Sequence, residues 1–292
     1  MIIVRLKGGL GNQLFQYALG WSLARQRHDE LAFDLSYYRR FHDRQPDLRD
    51  FDIPFRELTF REMLRYRAFP HTRIGDLLTK IQRRAMPDMW QPYRREEPGV
   101  DFASLRCDSK RTLFLDGYWQ DNELDDGDAM ALRRQLCPLP RFTDVMKRGE
   151  EILAGCDAAI HVRRGDYIAN PRVAAEFGSL DVDHYRRGLA AIALGRQLRR
   201  VALFSDEPGW VVRHWDLGVE LVMMHPDPAR ISPVVDVSLM RLATALVIAN
   251  SSLSWWGAWL GERSGRTVVA PARWFAKETP RSPWISTRWI RV

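Results

Sequence analysis

The feature that most constrains the fold is an alternation in the second half of the chain. Short apolar runs at residues 158–163, 201–205, 219–224, 245–250 and 267–270 are separated by helical patterns near 183–200, 208–215, 233–244 and 252–263. Strands that are apolar throughout are buried on both faces, and helices between them are the crossovers that parallel pairing needs. The pattern therefore predicts an α/β domain with a parallel sheet covered on both sides. The start of the chain shows one βαβ unit: a β-branched run at 2–6, Gly8, Gly9 and Gly11, a helical pattern over 12–24, and a second strand at 31–35.

Residues 36–110 carry only short helical patterns broken by six prolines, and residues 111–120 read as a buried strand and a turn. The pair Pro138 and Pro140 stops the preceding helix. With 292 residues and about 150 per domain, two domains are expected, 1–140 and 141–292. Two such α/β halves place a ligand cleft between them, at the carboxyl ends of their strands.

Charge narrows the partners. Lys and Arg number 44 against 37 Asp and Glu, a net +7. Residues 61–95 hold nine Lys/Arg and three Asp/Glu, so +6 of that excess sits in one segment. A basic balance favours an anionic partner, such as nucleic acid, a membrane surface or a phosphorylated substrate. No RNA- or DNA-reading motif accompanies it, which weighs against nucleic acid. Cys107, Cys137 and Cys156 form no Cys-x-x-Cys pair, which fits a reducing compartment and argues against a zinc site. No apolar run approaches the roughly 20 residues of a membrane helix. The N-terminus lacks a signal-peptide pattern. A cytoplasmic protein is expected, with peripheral membrane contact through the basic segment as an additional reading.

Three strand-to-helix junctions carry polar groups. In 160–167 (IHVRRGDY) two arginines follow a strand, then a glycine and an acid. One reading is a diphosphate clamp, since a guanidinium binds phosphate with two parallel hydrogen bonds. The other is an internal salt bridge with Asp166 on Arg164. At Ser205, Asp206 and Glu207 a carboxylate just past a strand suits ribose or a purine edge. Equally, Ser205 or Asp206 is a cap for the helix starting near Pro208. Ser251, Ser252 and Ser254 stand where another helix begins, either as an ordinary cap or as an anion site. In the first half, Gly8, Gly9 and Gly11 permit a tight turn or a close approach to an anion. Asn12 and Gln13 lie within reach of such a ligand. No His-Glu-x-x-His, cysteine–histidine cluster or nucleophile elbow is present. Asp126-Gly127-Asp128 is read as an exposed acidic turn rather than a metal site.

Taken together, these segments resemble the bacterial α-1,2-fucosyltransferases of glycosyltransferase family 11. The matching stretches are GGLGNQLFQYALG at 8–20, DGYWQ at 116–120, HVRRGDY at 161–167, FSDE at 204–207 and NSSLSWWGAWL at 250–260. The resemblance implies a GT-B-like fold of two Rossmann-like domains facing a central cleft. It implies metal-independent, inverting transfer from GDP-fucose to a galactose 2-hydroxyl, on a glycan that is lipid-linked in many bacterial pathways. Arg163 would bind phosphate, with His161, Arg164 and Asp166 seating the nucleotide. Asn12, with Gly9, Gly11 and Gln13, would face the donor from the first domain. Ser251, Ser252 and Ser254 would hold the diphosphate, and Ser205, Asp206 and Glu207 would meet ribose or guanine. Asp116, Tyr118, Trp119 and Gln120 would border the acceptor. Asp166 and Asp116 are candidates for the base, as is the departing phosphate. Two alternatives are carried with it: another GDP-sugar as donor, and a non-enzymatic nucleic-acid-binding protein.

Overall fold

The computed structural model describes residues 1–41, 44–65, 77, 81, 93–96, 105, 112–121, 124–277 and 285–292. The chain divides into two compact units, Met1–Leu136 and Cys137–Val292. Most of the basic segment 61–95 lies outside the described residues.

In the first unit the elements run β1 (Ile2–Arg5), α1 (Leu10–Arg27), β2 (Leu31–Asp34), α2 (Ser36–Arg40), α3 (Phe60–Arg65), β3 (Tyr93–Arg95), β4 (Leu113–Asp116) and α4 (Asp126–Gln135). The sheet is parallel, in the order β2-β1-β4-β3. The sequence reading had no strand at β3. That strand is Tyr-Arg-Arg, a short basic edge, and an edge strand needs no apolar run. Helix α1 is buried along most of its length, because it packs on β1 and beneath the 3₁₀ turn at Asp47–Asp50.

Asp126-Gly127-Asp128 departs from its predicted exposed turn. It forms the first turn of α4, where the Asp125 carboxylate caps the Asp128 N–H at 2.8 Å. Asp128 is buried and accepts hydrogen bonds from Ser22, from Arg25 at 2.7 Å and from Gln26 at 3.2 Å. Its charge is thereby used within the unit.

The second unit runs α5 (Thr143–Ala154), β5 (Ala158–Val162), α6 (Gly165–Ala169), α7 (Pro171–Phe177), α8 (Val182–Ala193), β6 (Arg200–Ser205), α9 (Pro208–His214), β7 (Glu220–Met223), α10 (Pro233–Met240), β8 (Ala245–Val247), α11 (Ser252–Leu260), β9 (Thr267–Ala270) and β10 (Ile290–Arg291). Its six strands are parallel in the order β10-β9-β8-β5-β6-β7. Ile160, Val162, Leu203, Val247 and Val269 pack with Tyr185, Leu189 and Ile192 of α8 in one core cluster. Each such side chain contributes about 1.5–3 kcal/mol on burial.

Three helices stop earlier than their apolar patterns predicted. α8 ends where Leu194 turns left-handed (φ 47°) ahead of Gly195. α10 and α11 end together over Arg266. Its guanidinium donates to the carbonyls of Ala243 (2.9 Å), Ala258 (2.6 Å), Met240 (2.8 Å) and Gly257 (3.2 Å). A cation on helix C-terminal carbonyls satisfies groups that would otherwise be orphaned. Among the described residues, no helix is long and apolar enough to cross a membrane.

Candidate functional site

Strand pairing in the second unit brings three junctions together. β8 and β6 flank β5, with Ile160 opposite Val247 on one side and Val162 opposite Ser205 on the other. The carboxyl end of β5 therefore lies between the serines of α11 and the acids after β6. In parallel α/β sheets this is where ligands bind.

Arg163 is the centre of the arrangement. Its Nε and one Nη meet Asp166 Oδ1 at 3.0 and 2.6 Å, and its other Nη meets Asp206 Oδ2 at 3.1 Å. Burial works against its charge, but Asp206 and Asp166 more than offset this and hold its pKa above the ordinary value. Asp206 also accepts from the Arg164 backbone N–H at 3.0 Å. Gly165 makes room for it, since a Cβ there would stand 2.7 Å from Asp206 Oδ2. Arg164 reaches Glu207 at 3.0 Å and lies 3.1 Å over the Trp210 ring.

These contacts correct two expectations. Asp166 pairs with Arg163, not Arg164, because α6 turns the chain back over Arg163. Neither Ser205 nor Asp206 caps α9. The helix has Glu207 at its N-cap without a side-chain bond, and Ser205 Oγ accepts from the Glu207 N–H at 3.0 Å. The Asp206 carboxylate is engaged by both arginines, so it supports the guanidinium rather than standing open to ribose.

The serines divide. Ser254 is fully buried, with its hydroxyl 2.7 Å from His161 Nδ1 and 3.3 Å from the Ala249 carbonyl. It is used internally and is withdrawn from the set expected to hold a diphosphate. Ser251 is the N-cap of α11, with no side-chain cap bond, and Ser252 is its first residue. The helix start thus keeps N–H groups for an anion.

Burial, and then the nearby Arg163, push His161 down to a pKa of about 4. The unfolded chain, with histidine near 6.5, then takes up this proton first as pH falls. Stability tied to neutral His161 is lost between pH 6.5 and 4, amounting to about 3 kcal/mol. Urea unfolding of the chain and of His161→Asn should show their stability difference moving by that amount in the variant's favour over this interval. A constant difference would contradict a buried neutral imidazole.

Sequence reading missed His225 and Asp236. His225 helps line a cavity of about 400 Å³ with Val145, Ile152, Met224, Pro226 and Ile231. Behind it, Asp236 Oδ1 lies 3.2 Å from His225 Nε2, and both atoms are buried without a hydrogen bond. Asp236 is also near enough to His161 to act on its charge. The available signal was a single acid in the run 233–240, which is apolar but for it and Ser238.

In the first unit the turn is narrower than read. Gly8 has φ 75° and Gly9 is the N-cap, while Gly11 is buried inside α1. Gln13 is fully buried. Its amide donates to the Gly8 and Gln45 carbonyls (3.0 and 2.7 Å) and accepts from the Leu48 N–H at 2.9 Å. It pins the loop to the turn and is not left facing a ligand. Asn12 remains half-buried, its Oδ1 accepting from Gln120 Nε2 at 2.8 Å. Asp116 is buried between Arg5 (2.9 Å) and Lys7 (3.1 Å). Trp119 is wholly buried and left-handed (φ 58°), so it is no acceptor-facing wall, whereas Tyr118 is exposed. That backbone costs roughly 1–2 kcal/mol. It is held by Glu96, whose carboxylate accepts from the N–H groups of Tyr118 (2.6 Å) and Trp119 (2.7 Å).

The sequence profile described as Glycosyl transferase family 11 matches residues 1–289. The O-antigen biosynthesis glycosyltransferase WbnK of Escherichia coli is 28% identical, over 98% of this chain and 99% of that protein. An alpha-1,2-colitosyltransferase of Escherichia coli is 27% identical, over 100% and 99%. Among solved structures, a mutant of Arabidopsis thaliana FUT1 in complex with GDP superposes with a TM-score of 0.52 at 12% identity. It covers 92% of this chain and 69% of that one. That likeness shows the fold, α/β with parallel sheets in the GT-B-like class.

Proposed function

The chain belongs to glycosyltransferase family 11, and we propose that within it the reaction is transfer of L-fucose from GDP-fucose to the 2-hydroxyl of a galactose-terminated glycan. The observation that carries this reading is Arg163. It is a half-buried, permanently charged fork at the meeting of three strand ends, oriented by two carboxylates and flanked by the start of α11.

In the transfer, the bond between the sugar anomeric carbon and the β-phosphate oxygen breaks, and the acceptor oxygen bonds to that carbon from the opposite face. The β-linked sugar thereby becomes α-linked. Negative charge grows on the departing diphosphate, and Arg163 with the N–H groups of α11 would stabilise it. This leaves no step that calls for a metal. Asp166 is engaged by Arg163, and Asp116 by Arg5 and Lys7, so the hydroxyl proton goes to solvent water and from there to the departing diphosphate on the far face of the sugar. We place the nucleobase by the cavity at His225. A guanine presents N–H donors along one edge, and the carboxylate of Asp236, partly exposed beside His225, would accept them. Asp236→Ala is expected to weaken GDP binding by about 10–100-fold, the value of a hydrogen bond to a charged group. Titration calorimetry with GDP and ADP would measure it, and unchanged GDP affinity would remove the assignment.

A donor other than GDP-fucose is the second reading, favoured by the colitosyltransferase name of one relative. The O-antigen role named for the other supports a surface glycan as acceptor; a lipid carrier for it, and contact of the basic sequence 61–95 with an anionic membrane, belong to the proposal. Incubation with GDP-fucose and other GDP-sugars, with galactose-terminated oligosaccharides and linkage analysis, tests the proposal. It expects GDP release with GDP-fucose and an α-1,2 product. GDP release only with another sugar establishes the second reading, and release with none sinks both.

A further inference from the structure

Arg163 and the start of α11 follow different strands, and one buried side chain reaches both. Tyr167, in α6, is 8% exposed. The Arg163 guanidinium carbon lies 5.9 Å from the centre of its ring. At the far end of the ring the hydroxyl donates to the Asn250 carbonyl at 2.8 Å. Burial is the main reason that this phenol titrates above its ordinary value, so the hydroxyl keeps its proton for that bond.

Asn250 immediately precedes Ser251, the N-cap of α11. Its carbonyl and the Ser251 N–H are opposite edges of one planar peptide, so fixing the oxygen fixes the direction of that N–H. The Asn250 side chain is held as well. Its buried amide donates to the carbonyls of Phe177 (2.7 Å) and Trp274 (3.1 Å). Ser251 itself makes no cap bond with its side chain. The entry to α11 is therefore set by the residue before the cap, and Tyr167 grips that residue while backing Arg163. Every group involved lies in the second unit.

We propose that Tyr167 is a positioning residue that joins the two halves of the anion site: its ring backs the Arg163 guanidinium and its hydroxyl sets the first peptide of α11, so that both present their donors to one diphosphate. The inference rests on the donor-substrate reading above and adds to it a residue that acts through others. Donors held in advance for growing negative charge need no reorganisation as the bond breaks. A tyrosine that only filled the core would satisfy its hydroxyl and act on stability alone.

The test is titration calorimetry with GDP and with inorganic pyrophosphate on the full chain and on Tyr167→Phe, beside turnover of its GDP-sugar and melting curves. Tyr167→Phe keeps the ring and removes one hydrogen bond. At a temperature where the variant is folded, it should weaken both ligands about 5–10-fold and lower kcat by a similar factor. In the Arg163→Ala background the same change should cost GDP affinity less than about twofold, because one of the halves it joins is gone. The inference is overturned by a folded Tyr167→Phe variant whose affinities and kcat stay within about twofold of wild type, or by a loss of full size in the Arg163→Ala background. A wild-type chain that binds neither GDP nor pyrophosphate, or whose GDP affinity is indifferent to Arg163→Ala, ends the donor reading and this inference together. A wild type that binds GDP through Arg163 and is indifferent to Tyr167→Phe ends the inference alone.

Discussion

Arg163→Ala is expected to lower kcat by on the order of 1,000-fold with a folded protein remaining. Removing one donor to a developing oxyanion costs about 100–1,000-fold, and a guanidinium supplies two donors and a full charge. The stability cost is smaller. Asp166 and Asp206 lose their partner, but their side chains are 33% and 24% exposed, so solvent screens the loss to about 1–2 kcal/mol. Arg163→Lys should recover little of the rate, because an ammonium cannot span Asp166, Asp206 and a phosphate at once. Steady-state GDP release beside a melting curve separates the two effects. A variant within tenfold of wild-type turnover would mean that Arg163 is only an internal ion pair.

Arg266→Met should destabilise the second unit by about 3–5 kcal/mol, lowering its melting temperature by about 10 °C or more. Burial, then Arg263, depress the Arg266 pKa to about 10, so it remains a cation at neutral pH. It meets four carbonyls from the ends of α10 and α11 and the loop that follows α10. Methionine fills similar volume and leaves all four without their charged donor. Arg266→Lys should recover only part, having three donors and no planar fork. Circular dichroism melts give the result, and a shift under about 3 °C would show the carbonyls to be satisfied in other ways. Because α11 also carries Ser251 and Ser252 at its start, the same change should reduce activity without touching the site.

Much of the second unit was legible in the sequence. Its apolar strands and the helices between them have clear periods, so the elements that were read have the right type. Three helix ends were misjudged where a left-handed residue or Arg266 intervened, and α5, α6, α7 and the two-residue β10 were not read. In the first unit β3 escaped notice because an edge strand of Tyr-Arg-Arg has no hydrophobic signature. At the site, Arg163 and His161 were singled out from a strand end. The partners of each group were not, since Asp206 lies 43 residues from Arg163, and Ser254 lies 93 from His161. Gln13 and Gln120 were read as ligand-facing amides. Only the packing shows that one pins a loop and the other grips Asn12.

By itself the sequence determined an α/β chain with a cationic strand end in its second half, and its motifs carried the resemblance to a family of GT-B-like fold. Periodicity and residue chemistry are local properties and are written in local order. The tertiary structure decided which strands are neighbours. Placing β8 beside β5 brings Ser251 and Ser252 to the strand end that carries Arg163 and sets Ser254 on His161, and placing β6 on the other side brings Asp206. Strand order is set by the packing of the whole sheet against its helices, and no single segment carries that information. The same packing decided which polar groups are consumed and which stay available, and that difference separates Ser254 from Ser252 and Gln13 from Asn12.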